Sequence, residues 1–308
     1  MDALVALRSA VRAALEKFSA GDVILVAVSG GADSLALAEA AKLEGEKLAL
    51  KVIGVTIDHQ LQPGSKAQAE KVVAQLSIPC IIEKVDVQIT DGLEASARRA
   101  RYEALEKCAK DNQAVAVLLG HTKDDQAETV LLGLARGSGA RSLSGMANVN
   151  GLYVRPFLEI TREQTVAACK ELNLDPWSDP HNDDETFLRV KVRKNVLPVL
   201  ERELGPGIKD ALTRSAQLLR DDADALDKLA EDFWAADNSL SIEALEQLSK
   251  AVRTRVLRLA LFESGVTQLS AEQVGRVEAL ISDWKGQGEV SLPAGVKVSR
   301  ISGRLTLS

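Results

Sequence analysis

The chain lacks most of the features that usually declare a site. Its 308 residues hold only three cysteines, Cys80, Cys108 and Cys169, widely scattered and with no C-x-x-C pair. That excludes a zinc ribbon and a disulfide framework, and reads as three small buried hydrophobes in a reducing cytoplasm. No apolar run is long enough to span a bilayer. The opening stretch, MDALVALRSAVRAALEKF, carries charge throughout, so it reads as an amphipathic helix and not a secretory signal. A basic excess is also missing. The formal net charge is -6, which counts against nucleic-acid binding over the whole surface. A local patch would suffice, however, and Arg189, Lys191, Arg193 and Lys194 form one. On charge alone, that patch is a solvated helix face. No G-x-x-x-x-G-K-[ST] occurs, so the Walker phosphate loop is excluded. There is no internal repeat and no low-complexity tract.

What remains is a well-founded globular chain. Hydrophobic residues make up 46% and mean hydropathy is -0.02, enough for a sizeable core. The length implies two domains. Short apolar runs alternate with helical patterns over the first part: a leading helix at Leu4–Phe18, strands at Val23–Val28, Leu50–Ile57, Cys80–Val85 and Ala114–Leu119, and helices between them. This is the signature of βαβ units, hence an α/β fold with a parallel sheet and helices on both faces. Ligands of such sheets sit at the carboxyl ends of the strands. That rim collects Ser29 to Ser34, Asp58-His59 and Gly120-His121. From Thr161 the pattern turns helical, and Gly205-Pro206-Gly207 breaks it before a long helix from Ile208. The expected division is therefore 1–207 and 208–308, the second part mainly helical and ending in short strands.

Residues Val23 to Leu37, VILVAVSGGADSLAL, carry the most information. A β-branched strand breaks into Ser29-Gly30-Gly31-Ala32-Asp33-Ser34, and a helix begins near Leu35. Strand, glycine turn and helix start form a phosphate holder: glycines let backbone N–H groups approach an anion, and the helix N-terminus adds its positive dipole end. Ser29 and Ser34 have hydroxyls to donate, and Asp33 can hold Mg²⁺ against phosphate oxygens. Ser-Gly-Gly-x-Asp-Ser resembles the loop of the N-type ATP pyrophosphatases, the PP-loop superfamily.

Four further segments stand out. Gly120 to Leu132 reads GHTKDDQAETVLL. Asp124, Asp125 and Glu128 fall on one helical turn, where acids either cap the helix or hold a cation, Mg²⁺ or an ammonium group. Arg136-Gly137-Ser138-Gly139-Ala140-Arg141 is a glycine loop between arginines, suited to phosphate or to a surface loop. Leu93 to Tyr102, LEASARRARY, puts Arg98, Arg101 and Tyr102 on roughly one helix face. Trp177 to Leu200 runs from a turn at Asp179-Pro180 and Asn182 into the basic patch.

In this order, the five segments resemble the tRNA(Ile)-lysidine synthase family, over roughly the first 200 residues. The matching stretches are Ser29–Ser34, Glu94–Tyr102, His121–Thr129, Arg136–Met146 and Asp179–Arg193. Thr122 stands where many members have a second His, His181 replaces a Ser, and Phe187 replaces a Tyr, removing a hydroxyl. The resemblance is to the shorter members of the family.

The resemblance implies a ligase with a Rossmann-like PP-loop domain that uses ATP and Mg²⁺. Its partners would be tRNA(Ile) with a CAU anticodon, free L-lysine and a second copy in a homodimer, with no membrane. The wobble cytidine would be adenylated and then take lysine, releasing pyrophosphate and AMP. Site residues follow on the same basis: Ser29 to Ser34 with Asp58 and His59 for ATP, Asp33 for the metal, and Asp124, Asp125 and Glu128 for lysine. Asp33, His121, Asp125, Glu128 and Arg136 would be catalytic, and Arg98, Arg101, Arg189, Lys191 and Arg193 would hold tRNA. A tRNA thiolase needs paired thiols that the spacing of the cysteines does not offer. An amide-forming synthetase needs an ammonia source that is not visible here, and an ATP-sensing module has no use for the acids of Asp124 to Glu128.

Overall fold

The computed structural model describes residues 2–60, 64–88, 90, 92–178 and 183–308, and of 93 and 94 the backbone alone. The turn at Asp179, Pro180, His181 and Asn182 lies outside the described residues. In chain order come α1 (Ala3–Leu15), β1 (Val23–Ala27), α2 (Ala32–Lys47), β2 (Lys51–Asp58), α3 (Ser65–Gln75), β3 (Cys80–Lys84), α4 (Leu93–Asp111) and β4 (Ala114–Leu118). They are followed by α5 (Lys123–Ala135), α6 (Ala140–Leu143), β5 (Val149–Asn150), β6 (Tyr153–Val154) and α7 (Arg162–Glu171). Then come α8 (Leu188–Lys191), a π-helical turn at Val192–Val196, α9 (Leu197–Glu203) and the long α10 (Ile208–Ala236). The chain ends with α11 (Ile242–Glu246), α12 (Lys250–Glu263), α13 (Ala271–Ser282), β7 (Val290–Ser291), β8 (Lys297–Ile301) and β9 (Arg304–Leu307).

The central strands β1 and β4 are buried on both faces, and their side chains divide with the two-residue period of a strand. Ile24 and Val26 of β1 and Ala116 and Leu118 of β4 point to one face, where Leu7, Leu35, Leu37, Phe157 and Ala168 from the α1, α2 and α7 side cover them. Leu25 and Val117 point the other way, against Leu105, Cys108 and Ala109 of α4. Glu44 of α2 is buried and ties α1 down, accepting from Arg8 Nε and Arg12 Nε at 2.7 Å each.

The sheet order is β3-β2-β1-β4-β6-β5. All pairs are parallel except β5 with β6. The antiparallel edge strand is a refinement of the expected parallel sheet; two residues are too short to read as a strand from sequence. Strand order reverses between β1 and β4, which opens a crevice above their carboxyl ends. The glycine turn after β1 and Gly120-His121 after β4 flank that crevice.

Two compact units divide at Gln217/Leu218, inside α10 and not at the 207/208 break. The first turn of α10 belongs to the first unit because it is pinned there. Lys209 Nζ bonds Asp124 Oδ1 at 2.5 Å, and Asp210 accepts from Lys123 Nζ at 2.9 Å. The second unit has its own core, including Leu245, Val256, Leu257, Leu261, Leu280, Val298 and Leu305. It buries one ion pair, Arg253 with Glu278 at 2.6 Å, and Arg253 also donates to the Leu248 carbonyl at 3.0 Å. Those extra bonds are what a buried charge needs. Strands β7, β8 and β9 form an antiparallel sheet there. Among the described residues no helix is long and apolar enough to cross a membrane.

Candidate active site

The glycine turn is held by its own serines. Ser29 N donates to Ser34 Oγ at 3.1 Å, and Ser34 Oγ donates to the Gly31 carbonyl at 2.9 Å. Helix α2 starts at Ala32, so Asp33 and Ser34 stand in its first turn. Gly30 has φ +88°, and a Cβ there would lie 2.5 Å from Val72 Cγ2. Its carbonyl accepts from Trp177 N at 2.9 Å. Glycine is thus demanded twice at this position, by the left-handed backbone and by the neighbour.

The His121 segment is brought against this turn. A Cβ on Gly120 would come within 3.1 Å of the Asp33 carbonyl oxygen, so the loop after β4 abuts the first turn of α2. Thr122 then caps α5. Asp125 Oδ2 accepts from Thr122 N at 2.8 Å and from Thr122 Oγ1 at 3.0 Å, completing a capping box. The capping reading of these acids is therefore true of Asp125 whatever else it does. Among the described residues its other oxygen, Oδ1, has only longer contacts, to Arg162 Nη2 at 3.4 Å and Arg193 Nη2 at 3.6 Å.

Arg162 joins the two motifs. Its Nε lies 3.4 Å from Asp33 Oδ2, and its backbone N donates to Asp124 Oδ2 at 2.9 Å. Fully buried Thr165 donates to Asp33 Oδ1. Burial pushes the Asp33 carboxyl above the usual carboxylate range, against the pull of Arg162 and Thr165. Burial acts in the same direction on Asp124, but the Lys209 bond and the Arg162 amide outweigh it and hold that carboxyl low. Arg162, Thr165 and Lys209 were not singled out by sequence. The one available signal was the Thr161-x-x-Gln164 capping box, which marks the start of α7 but not the role of its first residue.

Glu128 is fully buried. Arg193 bonds both its oxygens, Nε to Oε1 at 2.6 Å and Nη2 to Oε2 at 3.1 Å, and Arg189 Nε stands 3.3 Å from Oε2. Glu128 is therefore a paired carboxylate and not an open one, and Arg189 and Arg193 each commit part of a half-buried guanidinium to it; a carboxylate buried this deeply requires such partners. Of the basic patch, Lys191 and Lys194 remain exposed, Lys194 paired with Asp183 at 2.5 Å. Arg136 stands apart from this group. It is exposed at the far end of α5, roughly 17 Å along the helix from Asp125 at 1.5 Å per residue.

A second group of polar residues completes the rim. Tyr102 is flanked by Arg98 at 5.0 Å and Arg101 at 5.5 Å from its ring centroid, and it meets Tyr153 edge-on at 4.9 Å. Arg98 is exposed, whereas Arg101 is largely withdrawn. Asp58 is buried, and its Oδ1 accepts from Gln60 N at 3.0 Å, fixing the turn that carries His59. Burial lowers His59, with Arg101 adding to it. His121 is held down to about 4 by burial and by Arg155, Arg101 and Arg189, although Asp125 pulls it up. Both imidazoles are neutral at neutral pH. The structure thus brings together Ser29–Ser34, Asp33, His121, Asp124, Asp125 and Glu128. It places Asp58, His59 and Arg101 on the same rim and leaves Arg136 outside.

Residues 5–200 match the PP-loop domain family, and residues 240–306 match the TilS substrate binding domain. The tRNA(Ile)-lysidine synthase of Thermobifida fusca is 48% identical over 98% of this chain and 96% of its own. The chain belongs to the tRNA(Ile)-lysidine synthase family. The family member of Streptomyces coelicolor is 49% identical over 92% of this chain and 85% of its own. Among solved structures, a U34-tRNA thiolase from Methanococcus maripaludis superposes with a TM-score of 0.59 at 17% identity, covering 71% of this chain and 79% of that one. That likeness is one of fold. Membership makes the chain an ATP-using enzyme with a PP-loop, and the arrangement around Asp33 is its candidate catalytic centre.

Proposed function

We propose that this enzyme joins lysine to the wobble cytidine of the CAU anticodon of tRNA(Ile) in two steps on the crevice above β1 and β4. In the first, the 2-carbonyl oxygen of cytidine attacks the α-phosphorus of ATP, and pyrophosphate leaves. In the second, the ε-amine of lysine, having lost a proton, attacks C2 of the adenylated base. The bond from C2 to the AMP oxygen breaks, and AMP leaves.

The observation that carries this reading is the joining of the glycine turn to the acidic turn through Arg162, which contacts both Asp33 and Asp125. A two-step ligase needs the centre that activates and the centre that delivers the amine side by side. Ser29 to Ser34 would hold the polyphosphate with backbone amides and the α2 dipole. A carboxylate keeps several lone-pair directions, so Asp33 can take Mg²⁺ while Thr165 orients it, and one carboxylate plus phosphate oxygens is the usual Mg²⁺ set. The metal would neutralise charge developing on the phosphates. For lysine, Asp125 Oδ1 is the best-placed acceptor, since its protein contacts are the longest in the cluster. Asp124 already accepts an ammonium, that of Lys209. His121, neutral and beside Asp125, can take the proton the amine loses, though a low pKa makes it a weak base. A reducing cytoplasm, where free tRNA and lysine are found, suits the unpaired cysteines.

The deciding experiment is mass analysis of unmodified tRNA(Ile) after incubation with enzyme, ATP and isotope-labelled lysine. Label incorporation with equimolar AMP release is expected. AMP release without tRNA, or cleavage of only the terminal phosphate of ATP, would sink the reading.

A further inference from the structure

Among the described residues, four side-chain atoms are buried without a hydrogen-bond partner: His59 Nδ1, Arg101 Nε, His121 Nδ1 and Arg155 Nε. They come from separate parts of the chain. His59 follows β2, His121 follows β4, Arg155 follows β6, and Arg101 lies in the first half of α4. All four belong to the carboxyl rim of one sheet. Buried polar atoms are normally paired, and those that are not call for an explanation.

Among the described residues, the two guanidinium groups of this set lack the acid partners that other arginines of the rim have. Arg155 is buried, with its Nη1 donating to the Ala147 carbonyl at 3.0 Å. Among the described residues no carboxylate pairs with Arg155 or Arg101, whereas Arg162, Arg189 and Arg193 each meet an acid. Burial lowers Arg101, and Arg98 and Arg189 add to that. The groups facing the imidazoles are Arg101 and Asp58 for His59, and Asp125, Arg155, Arg101 and Arg189 for His121. Withdrawing guanidinium groups from water with nothing to balance them is costly, and an anion brought by a ligand removes that cost.

The position of the group distinguishes it from the polyphosphate holder. The glycine turn opens into α2, which packs on the Ile24 and Val26 face of the sheet. Arg101 stands on α4, which packs on the Leu25 and Val117 face. We propose that Arg155 and Arg101, closed in by neutral His59 and His121, form a seat for a phosphodiester of the RNA strand next to the reacting nucleotide. A guanidinium carries a planar fork of donors that can bind two phosphoryl oxygens; Arg155 keeps Nε and Nη2 beyond the Nη1 bond to Ala147, and an uncharged imidazole can add one N–H. A single-stranded target whose base is splayed out needs its backbone fixed on one side of that base. The seat supplies that fixed point, while ATP enters from the other face. This inference rests on RNA being the substrate of the same site.

The test uses the full chain. Dissociation constants for unmodified tRNA(Ile) and for ATP are measured over a salt series for wild type, Arg155→Gln, Arg155→Lys and Arg101→Gln. Weakening of tRNA binding by about tenfold is expected in both Gln variants, with the salt slope falling by about one and ATP binding unchanged. Arg155→Lys should restore the slope but only part of the affinity, because a point charge replaces a fork. Arg101→Gln breaks no backbone bond, so it decides the matter if Arg155→Gln loses its Ala147 contact and unfolds. Unchanged tRNA affinity and slope in folded Gln variants overturns the inference. So does weakened ATP binding with tRNA binding kept, which would give the seat to the nucleotide. Mass analysis of the wild-type product is read separately. A lack of lysine addition there overturns the ligase reading, while the binding constants still judge the seat.

Discussion

Arg162 Nε lies 3.4 Å from Asp33 Oδ2, and the same guanidinium reaches Asp125 Oδ1 at 3.4 Å. One cation therefore balances a carboxylate on α2 and another on α5, and without it the two would repel each other across the crevice. Arg162→Gln should push the Asp33 carboxyl further above its ordinary range, since burial and Asp125 already raise it. Both chemical steps should slow, on the order of a hundredfold each. Single-turnover pyrophosphate release reports the first step, and lysine transfer to pre-adenylated tRNA reports the second. A wild-type rate in either assay would show that Arg162 serves one centre alone. Coupling with Asp33→Asn should be strongly non-additive, as for groups acting as one unit.

Glu128 and Asp125 should separate in their effects. Glu128→Gln leaves Arg193 and Arg189 facing a neutral amide in a fully buried position. Loss of stability of about 3 kcal/mol is expected, because removing one partner strands the other charges. Asp125→Asn keeps an acceptor for the Thr122 cap but loses the charge that faces Arg162 and Arg193. It should raise the KM for lysine, with a smaller change in melting temperature. If instead Glu128→Gln raises the KM for lysine at unchanged stability, the amine sits at Glu128.

Gly30→Ala tests the turn itself. The substitution meets Val72 Cγ2 at 2.5 Å and also places a Cβ on a backbone with φ +88°. The left-handed backbone alone costs about 1–2 kcal/mol. Val72→Ala removes the clash but not the backbone cost, so the double variant should regain only part of the lost ATP affinity. Equilibrium ATP binding on the two single variants and the double variant checks this. Full recovery in the double variant would mean that the backbone at Gly30 tolerates a side chain.

The alternation of apolar strands and helices, and the glycine turn, were legible because both are local. Period two buries Ile24 and Leu25 on opposite faces, and a Ser-Gly-Gly-x-Asp-Ser turn is written in consecutive residues. The acidic turn was half legible. Its place on one helix face is a matter of spacing, but whether Asp125 caps the helix, pairs with Arg162 or does both depends on α7, which is remote in sequence. The pairing of Arg189 and Arg193 was hidden for the same reason: a basic run looks identical whether it faces water or a buried Glu128. Arg162 and Arg155 carried no pattern at all. Their importance arises only when the sheet order brings the ends of β1, β4 and β6 together, and no neighbouring residue announces that.

His121 gives the site a pH signature with a definite sign. Its pKa falls from 6.5 to about 4 on folding, because burial and the nearby Arg155, Arg101 and Arg189 disfavour the imidazolium more than Asp125 favours it. Between these values the unfolded chain binds more protons than the folded one. The stabilising contribution is therefore complete above pH 6.5 and is lost progressively as pH falls towards 4. Urea unfolding of wild type and His121→Gln from pH 7.5 to 5 should show the wild type losing stability faster below pH 6.5. The difference should approach 1.4 kcal/mol per pH unit, the limit for one proton. Other titrating groups are common to both proteins and cancel in the comparison. Parallel stability curves, or an imidazole resonance of His121 titrating near 6.5, would mean that the ring is solvated and that the arginines around it do not set its charge.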